Sequence, residues 1–296
     1  MDETMKAQIT EKGGFIAALD QSGGSTPGAL RQYGIAPDSY SGDEEMFALM
    51  HEMRVRIITA PAFTGEKVIG AILFERTMDG DVQGKPVPKF LWEDRGVVPF
   101  LKMDKGLEAE QDSVQLMKPM PGLDALLERA VKLGVYGTKM RSVIAGASKT
   151  GIAAVVAQQF EVARQILGHG LMPIIEPEVS IKSPTKAAAE EILRDELLRH
   201  LDAMTEGRVM LKLTIPDQAD LYEALTRHER VERVVALSGG YKLDDACERL
   251  RQNHGMIASF SRALIDGLQK GMTDAEFDAT LSTAIDKIYR ASTQKA

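Results

Sequence analysis

Eight short apolar segments, each bounded by turn or charged residues, alternate along the chain with longer amphipathic stretches. This alternation restricts the possible folds more than any other feature. The short segments span 14–20, 68–75, 97–104, 135–142, 172–179, 208–215, 233–240 and 256–262, and aliphatic or β-branched residues dominate them. Between them the pattern turns helical. Met46, Leu49, Met50, Met53 and Ile57 recur at three- and four-residue steps, as do Leu123, Leu126, Leu127, Ala130 and Leu133. Ile152, Val155, Val156, Phe160, Ala163 and Leu167 form a third stripe, and Ala189, Ile192, Leu193, Leu197, Leu201 and Met204 a fourth. Shorter helices fit 219–228 and 242–253. A capping box from Thr273 to Glu276 opens a last helix through Phe277, Leu281, Ile285 and Ile288. Residues 80–89, with two glycines and two prolines, suggest a surface loop. Strands joined by helices in this number predict an α/β fold, a (β/α)8 barrel forming a single domain over 1–296. A doubly wound open sheet is the alternative, but the glycine fingerprint that usually follows its first strand is missing.

Composition narrows the function classes. At 44% hydrophobic and 27% charged, the 296 residues can bury a large core and stay soluble, which excludes a disordered or disulfide-built chain. Cys247 is the only cysteine, so no intrachain disulfide forms, as suits a reducing compartment. Thirty-six basic against forty-three acidic side chains leave a net charge of -7, contrary to non-specific nucleic-acid binding. The first residues are polar, and no apolar stretch reaches the roughly 18 to 20 residues that span a bilayer. A cytoplasmic protein with no nucleic-acid or membrane partner is expected.

The charges carried by the strand segments point to chemistry. Alternation in 208–215 puts Val209, Leu211, Leu213 and Ile215 on one face and Met210, Lys212 and Thr214 on the other. The apolar set suits a helix-packed exterior, so Lys212 should point into the barrel; otherwise it snorkels from a strand end. Glu176 and Glu178 share a parity near the end of their strand, as do Lys139 and Arg141, and Lys102 and Asp104; Asp20 ends the first. Each pair alone is read most simply as a salt bridge. Together they would converge at the C-terminal mouth, where barrel active sites sit. The last two strands end in Leu237-Ser-Gly-Gly240 and Ser259-Phe-Ser-Arg262, small residues with one arginine, a composition suited to phosphate. A second small-residue loop runs from Ser22 to Gly28. Histidines 51, 169, 200, 228 and 254 form no clustered motif, so no metal and no cofactor are expected. Cys247 suits core filling, and no Gly-x-Ser-x-Gly elbow occurs.

Seven of these segments, in order, resemble class I fructose-1,6-bisphosphate aldolase in its shorter bacterial form: Ala17-Ala-Leu-Asp-Gln-Ser22, Leu101-Lys-Met-Asp-Lys-Gly106, Lys139-Met-Arg141, Ile175-Glu-Pro-Glu178, Leu211-Lys-Leu213, Leu237-Ser-Gly-Gly240 and Ser259-Phe-Ser-Arg262. The resemblance implies a barrel that cleaves a sugar phosphate reversibly through a lysine Schiff base, without metal, in glycolysis or gluconeogenesis. Lys212 matches the Schiff-base lysine and Glu176 the acid/base glutamate. Glu178, Asp20, Lys139 and Arg141 match the family's charged neighbours. Ser238, Gly239, Gly240, Ser261 and Arg262 fall at the C1 phosphate, and Ser22, Ser25 and Lys102 at the C6 phosphate. Two departures stand out: Gln21 and Ser261 replace the glutamate and glycine of vertebrate members. Attack by Lys212 requires its neutral form, which an apolar strand and the cations Lys139 and Arg141 would favour. An aldolase for another sugar phosphate, such as tagatose 1,6-bisphosphate, and a non-catalytic phosphosugar-binding barrel are the alternatives.

Overall fold

The computed structural model describes residues 2–22 and 26–296. Among them, eight strands line up in parallel: β1 (Phe15–Leu19), β2 (Val68–Leu73), β3 (Val98–Lys102), β4 (Gly137–Ile144), β5 (Met172–Val179), β6 (Val209–Thr214), β7 (Val231–Leu237) and β8 (Met256–Ala258). Neighbours in sequence are neighbours in the sheet. The ladder is thinnest where the barrel closes: Ala18 N–H donates to the Phe260 carbonyl at 3.1 Å, just past the end of β8. The structure is the (β/α)8 barrel that the alternation predicts.

The period-two parity separates two apolar layers. Ile16, Ile72, Phe100, Ile174, Met210 and Val235 pack together inside the barrel, closed from below by Met5 and Ile9. Leu19, Leu73, Leu101, Ile175, Leu211 and Ala236 pack outward against the helices. Met210 faces inward and Leu211 outward, so Lys212, two residues beyond Met210, lies on the interior face as expected. The outer layer includes the buried stripe of helix Lys149–Gly168 and that of helix Lys186–Asp202. Lys186 also fixes the loop after β6, donating to the Ile215 carbonyl at 3.0 Å and to Asp217 at 2.8 Å.

Two local expectations change, and one element is added. Residues 80–89 are not a surface loop. Asp81–Val82 and Lys85–Pro86 form a hairpin, and helix Val87–Arg95 starts at its end. Pro88 is tolerated in that helix's first turn, where an amide hydrogen is not needed, and Val82, Val87 and Phe90 supply the burial. Helix Glu3–Glu11 forms in the polar N-terminal stretch because Asp2 caps the amides of Thr4 and Met5. Its two buried residues, Met5 and Ile9, are too few to give a sequence stripe. Strand β4 runs on to Ile144 because Val114–Gln115 pairs with its end. No helix among the described residues is long and apolar enough to cross a membrane.

Candidate active site

A cavity of about 1090 Å³ opens at the C-terminal end of the strands. Each charged strand end named above contributes to it: Asp20 from β1, Lys102 and Asp104 from β3, Lys139 and Arg141 from β4, Glu176 and Glu178 from β5, and Lys212 from β6. Ser22, Ser238, Gly239, Ser261 and Arg262 line it too. Gly240 does not reach the lining, and Ser25 lies outside the described residues.

Four buried charges form its floor. Lys139 Nζ lies 2.6 Å from Asp20 Oδ2 and 2.8 Å from Glu176 Oε2. Lys212, 3% exposed, places Nζ 3.1 Å from Glu176 Oε1. Two positive and two negative groups balance, which makes their shared burial sustainable. Burial opposes ionisation of Asp20, but Lys139, Lys212 and Lys102 outweigh it and hold its carboxyl well below the ordinary range. Glu176 is likewise lowered, by Lys139 and Lys212 against burial. Burial works against the Lys139 ammonium, and Asp20, Glu176 and Asp104 push its pKa up instead. The backbone of Glu176 is fixed from outside the barrel. Its N–H donates to Gln159 Oε1 at 2.8 Å, and Gln159 Nε2 donates to Ser142 Oγ at 2.9 Å.

Around the floor, Arg141, Glu178, Lys102 and Asp104 are also paired. Arg141 Nε donates to Glu178 Oε2 at 2.5 Å. Lys102 Nζ reaches Asp104 Oδ1 at 2.7 Å. The two cations expected beside Lys212 therefore both engage carboxylates. Arg141 turns to Glu178, and Lys139 is bound by Asp20 and Glu176. At the opposite wall, Gly239 and Gly240 take φ of +60° and +118°, conformations that favour glycine. A methyl group on Gly240 would sit 3.4 Å from Arg262 Nη2, so this backbone turn and the arginine meet. The buried Ser259 hydroxyl lines the same wall and has no hydrogen-bond partner among the described residues.

Four residues that shape the site carry no role on sequence grounds. Ser259 lies within the last of the seven segments without one. Gln159 and Arg54 occupy the apolar faces of helices Lys149–Gly168 and Gly42–Thr59, so a polar residue on a core stripe was the signal that could have found them. Arg54 is fully buried; its Nη2 donates to the Gln21 carbonyl at 2.5 Å and its Nη1 to Thr77 Oγ1 at 2.8 Å. Burial lowers its pKa to about 10, with Asp20 partly opposing. The fourth is Gln21, whose Nε2 donates to Ser261 Oγ at 2.7 Å. The two positions that depart from the vertebrate pattern thus touch each other.

A buried lysine beside a carboxylate, in an open cavity rimmed by further cations, is equipped for imine chemistry on a phosphorylated carbonyl compound. Comparison with known proteins agrees. Residues 3–218 match the glycolytic family described as fructose-bisphosphate aldolase class-I. The chain is 58% identical over 280 residues to fructose-bisphosphate aldolase class 1 of a Synechocystis species, covering 94% of this chain and 93% of that one. It is 56% identical over 292 residues to the Porphyromonas gingivalis protein of the same name, covering 99% of each. The fold is similar to that of fructose-bisphosphate aldolase from Plasmodium falciparum, solved with TRAP and a small-molecule inhibitor. The TM-score is 0.78 at 20% identity, over 99% of this chain and 94% of that one. With more than half its residues identical to these bacterial enzymes over nearly its whole length, the chain belongs to the class I fructose-bisphosphate aldolase family.

Proposed function

We propose that Lys212 forms the Schiff base in the reaction this chain catalyses, the reversible cleavage of fructose 1,6-bisphosphate to dihydroxyacetone phosphate and glyceraldehyde 3-phosphate. The observation that carries the assignment is the contrast between two buried lysines. Lys139 is gripped by Asp20 and Glu176 together, whereas Lys212 has, among the described residues, a single carboxylate contact, at 3.1 Å. The less encumbered amine is the better placed nucleophile.

In the cleavage direction Lys212 passes a proton to Glu176 and its free amine adds to the C2 carbonyl. The carbinolamine then loses its hydroxyl as water, protonated by Glu176, and leaves a cationic imine. Asp20, kept ionised by Lys139, takes the C4 hydroxyl proton. The C3–C4 bond breaks, its electron pair flows into the imine, and the aldehyde leaves. Protonation of the enamine at C3 and addition of water release dihydroxyacetone phosphate and restore the amine. Proton transfers of this kind contribute about 10²- to 10⁴-fold each. Arg262, with Ser238, Gly239, Ser259 and Ser261, supports a C1-phosphate site on one wall. Lys102 and Ser22 support the C6 phosphate on the other, so remote binding energy orients the sugar across the floor. A reducing, cytoplasmic setting suits the single buried thiol, Cys247.

Borohydride reduction in the presence of dihydroxyacetone phosphate, followed by peptide mapping, tests the assignment. The adduct is expected on Lys212 and should vanish in Lys212→Arg. An adduct on Lys139 would reverse the two roles.

A further inference from the structure

Arg54 is a buried guanidinium with no carboxylate in ion-pair contact among the described residues. Besides the Gln21 carbonyl and Thr77, its Nη2 faces Gln21 Oε1 at 3.4 Å. An arginine can only donate, so the end of the Gln21 amide turned towards it must be the oxygen. The nitrogen is then the end left for Ser261, and an amide nitrogen also only donates. Direction is thus imposed along the whole chain, from Arg54 through Gln21 to Ser261 Oγ. A serine hydroxyl has one hydrogen to give. Since Ser261 Oγ accepts from Gln21, that hydrogen remains available. Ser261 precedes helix Arg262–Ile265 without capping its amides, and both Ser261 and Arg262 line the cavity.

We propose that Arg54 and Gln21 are positioning residues that make the Ser261 hydroxyl a committed donor towards the anion held beside Arg262. The inference rests on the C1-phosphate assignment above. The relay also spans the seam between β1 and β8, so it sets where Ser261 stands relative to Asp20.

The wiring can be reversed with little change in volume. In Gln21→Glu the new carboxylate accepts from both Arg54 and Ser261, so the serine hydrogen is drawn away from the cavity. Arg54 gains an ion-pair partner, so the fold should hold. For fructose 1-phosphate, which carries only the C1 phosphate, KM should rise about tenfold, as for loss of a hydrogen bond to a charged group, with kcat little changed. In a Ser261→Ala background the same substitution should add nothing. Gln21→Met removes the donor without adding charge and leaves Arg54 its backbone acceptor. It should raise KM less, and again only when Ser261 is present.

An unchanged KM in Gln21→Glu overturns the relay. So does an equal rise with and without Ser261, because that pattern marks plain charge repulsion. Arg262→Ala separates the two levels of the argument. If it raises KM while Gln21→Glu does not, the phosphate site stands and the relay falls. If Arg262→Ala has no effect, the phosphate assignment falls, and the relay with it.

Discussion

Glu176 offers one carboxylate oxygen to each of two buried lysines, Oε1 to Lys212 at 3.1 Å and Oε2 to Lys139 at 2.8 Å. Because Lys139 is also 2.6 Å from Asp20, it serves as a fixed cation that keeps both carboxylates ionised. Glu176 thereby faces Lys212, its other partner, in ionised form. The arrangement gives the two buried lysines different electrostatic surroundings, as the proposed division of roles requires.

Glu176→Gln retains the volume and removes the proton carrier. Cleavage should fall by about 10²- to 10⁴-fold. The rate of borohydride-trapped adduct formation with dihydroxyacetone phosphate should fall in parallel, since carbinolamine formation and dehydration both need the proton. An unchanged trapping rate in single-turnover measurements would remove Glu176 from these steps.

Lys102→Ala separates two uses of one side chain. If Lys102 binds the C6 phosphate, its loss penalises fructose 1,6-bisphosphate over fructose 1-phosphate, by roughly 1.5 to 3 kcal/mol or about tenfold and more in kcat/KM. If its task is the 2.7 Å pair with Asp104, both substrates suffer equally and thermal stability drops. The ratio of kcat/KM values, measured on folded variant, decides between them.

Gln159→Leu leaves the buried Glu176 amide and the Ser142 hydroxyl without their partners. Stability should fall by about 1 to 3 kcal/mol in urea denaturation. Because the carboxylate is then less well fixed, kcat should fall as well. Full stability would mean that water replaces the amide.

Acid should act on the same cluster. Asp20 and Glu176 both have lowered pKa values in the folded state. Their contribution is therefore complete above the ordinary carboxyl values, about 3.9 and 4.3, and is lost as pH falls through the lowered ones. Lys139, shifted upward, contributes fully below the ordinary lysine value of about 10.4 and loses that contribution as pH rises through its raised value. The cluster's contribution should thus be level across neutral pH, and denaturant midpoints should decline on strong acidification. Asp20→Asn should make the acid limb shallower, and an identical limb in the variant would exclude Asp20 as a source.

Much of the barrel could be read because its signals are local. A strand shows its two faces within six residues, so Met210, Lys212 and Thr214 separate from Leu211 and Leu213 without knowledge of any partner. The same locality placed charged pairs at strand ends and made Lys212 stand out. Helix Glu3–Glu11 and the hairpin at 81–86 were harder to read. The first buries only two side chains, and the second is two residues per strand.

Parity says that a side chain points into the barrel but not which other side chain it meets there. The pairing of Arg141 with Glu178 was decided by the register of β4 against β5, and those of Lys139 with Asp20 and of Gln21 with Ser261 by the curling of the sheet into a barrel. Packing of helix Gly42–Thr59 brought Arg54 against Gln21 at the end of β1, a sequence separation of 33, and closure brought Gln21 to Ser261 across 240. The sequence determined the strands, their inward faces and the supply of charges, because those follow from short-range periodicity. Only the tertiary structure decided which charges neutralise one another and which lysine has a single carboxylate contact among the described residues. Those outcomes depend on strand tilt and stagger around a closed sheet, and no local repeat encodes them.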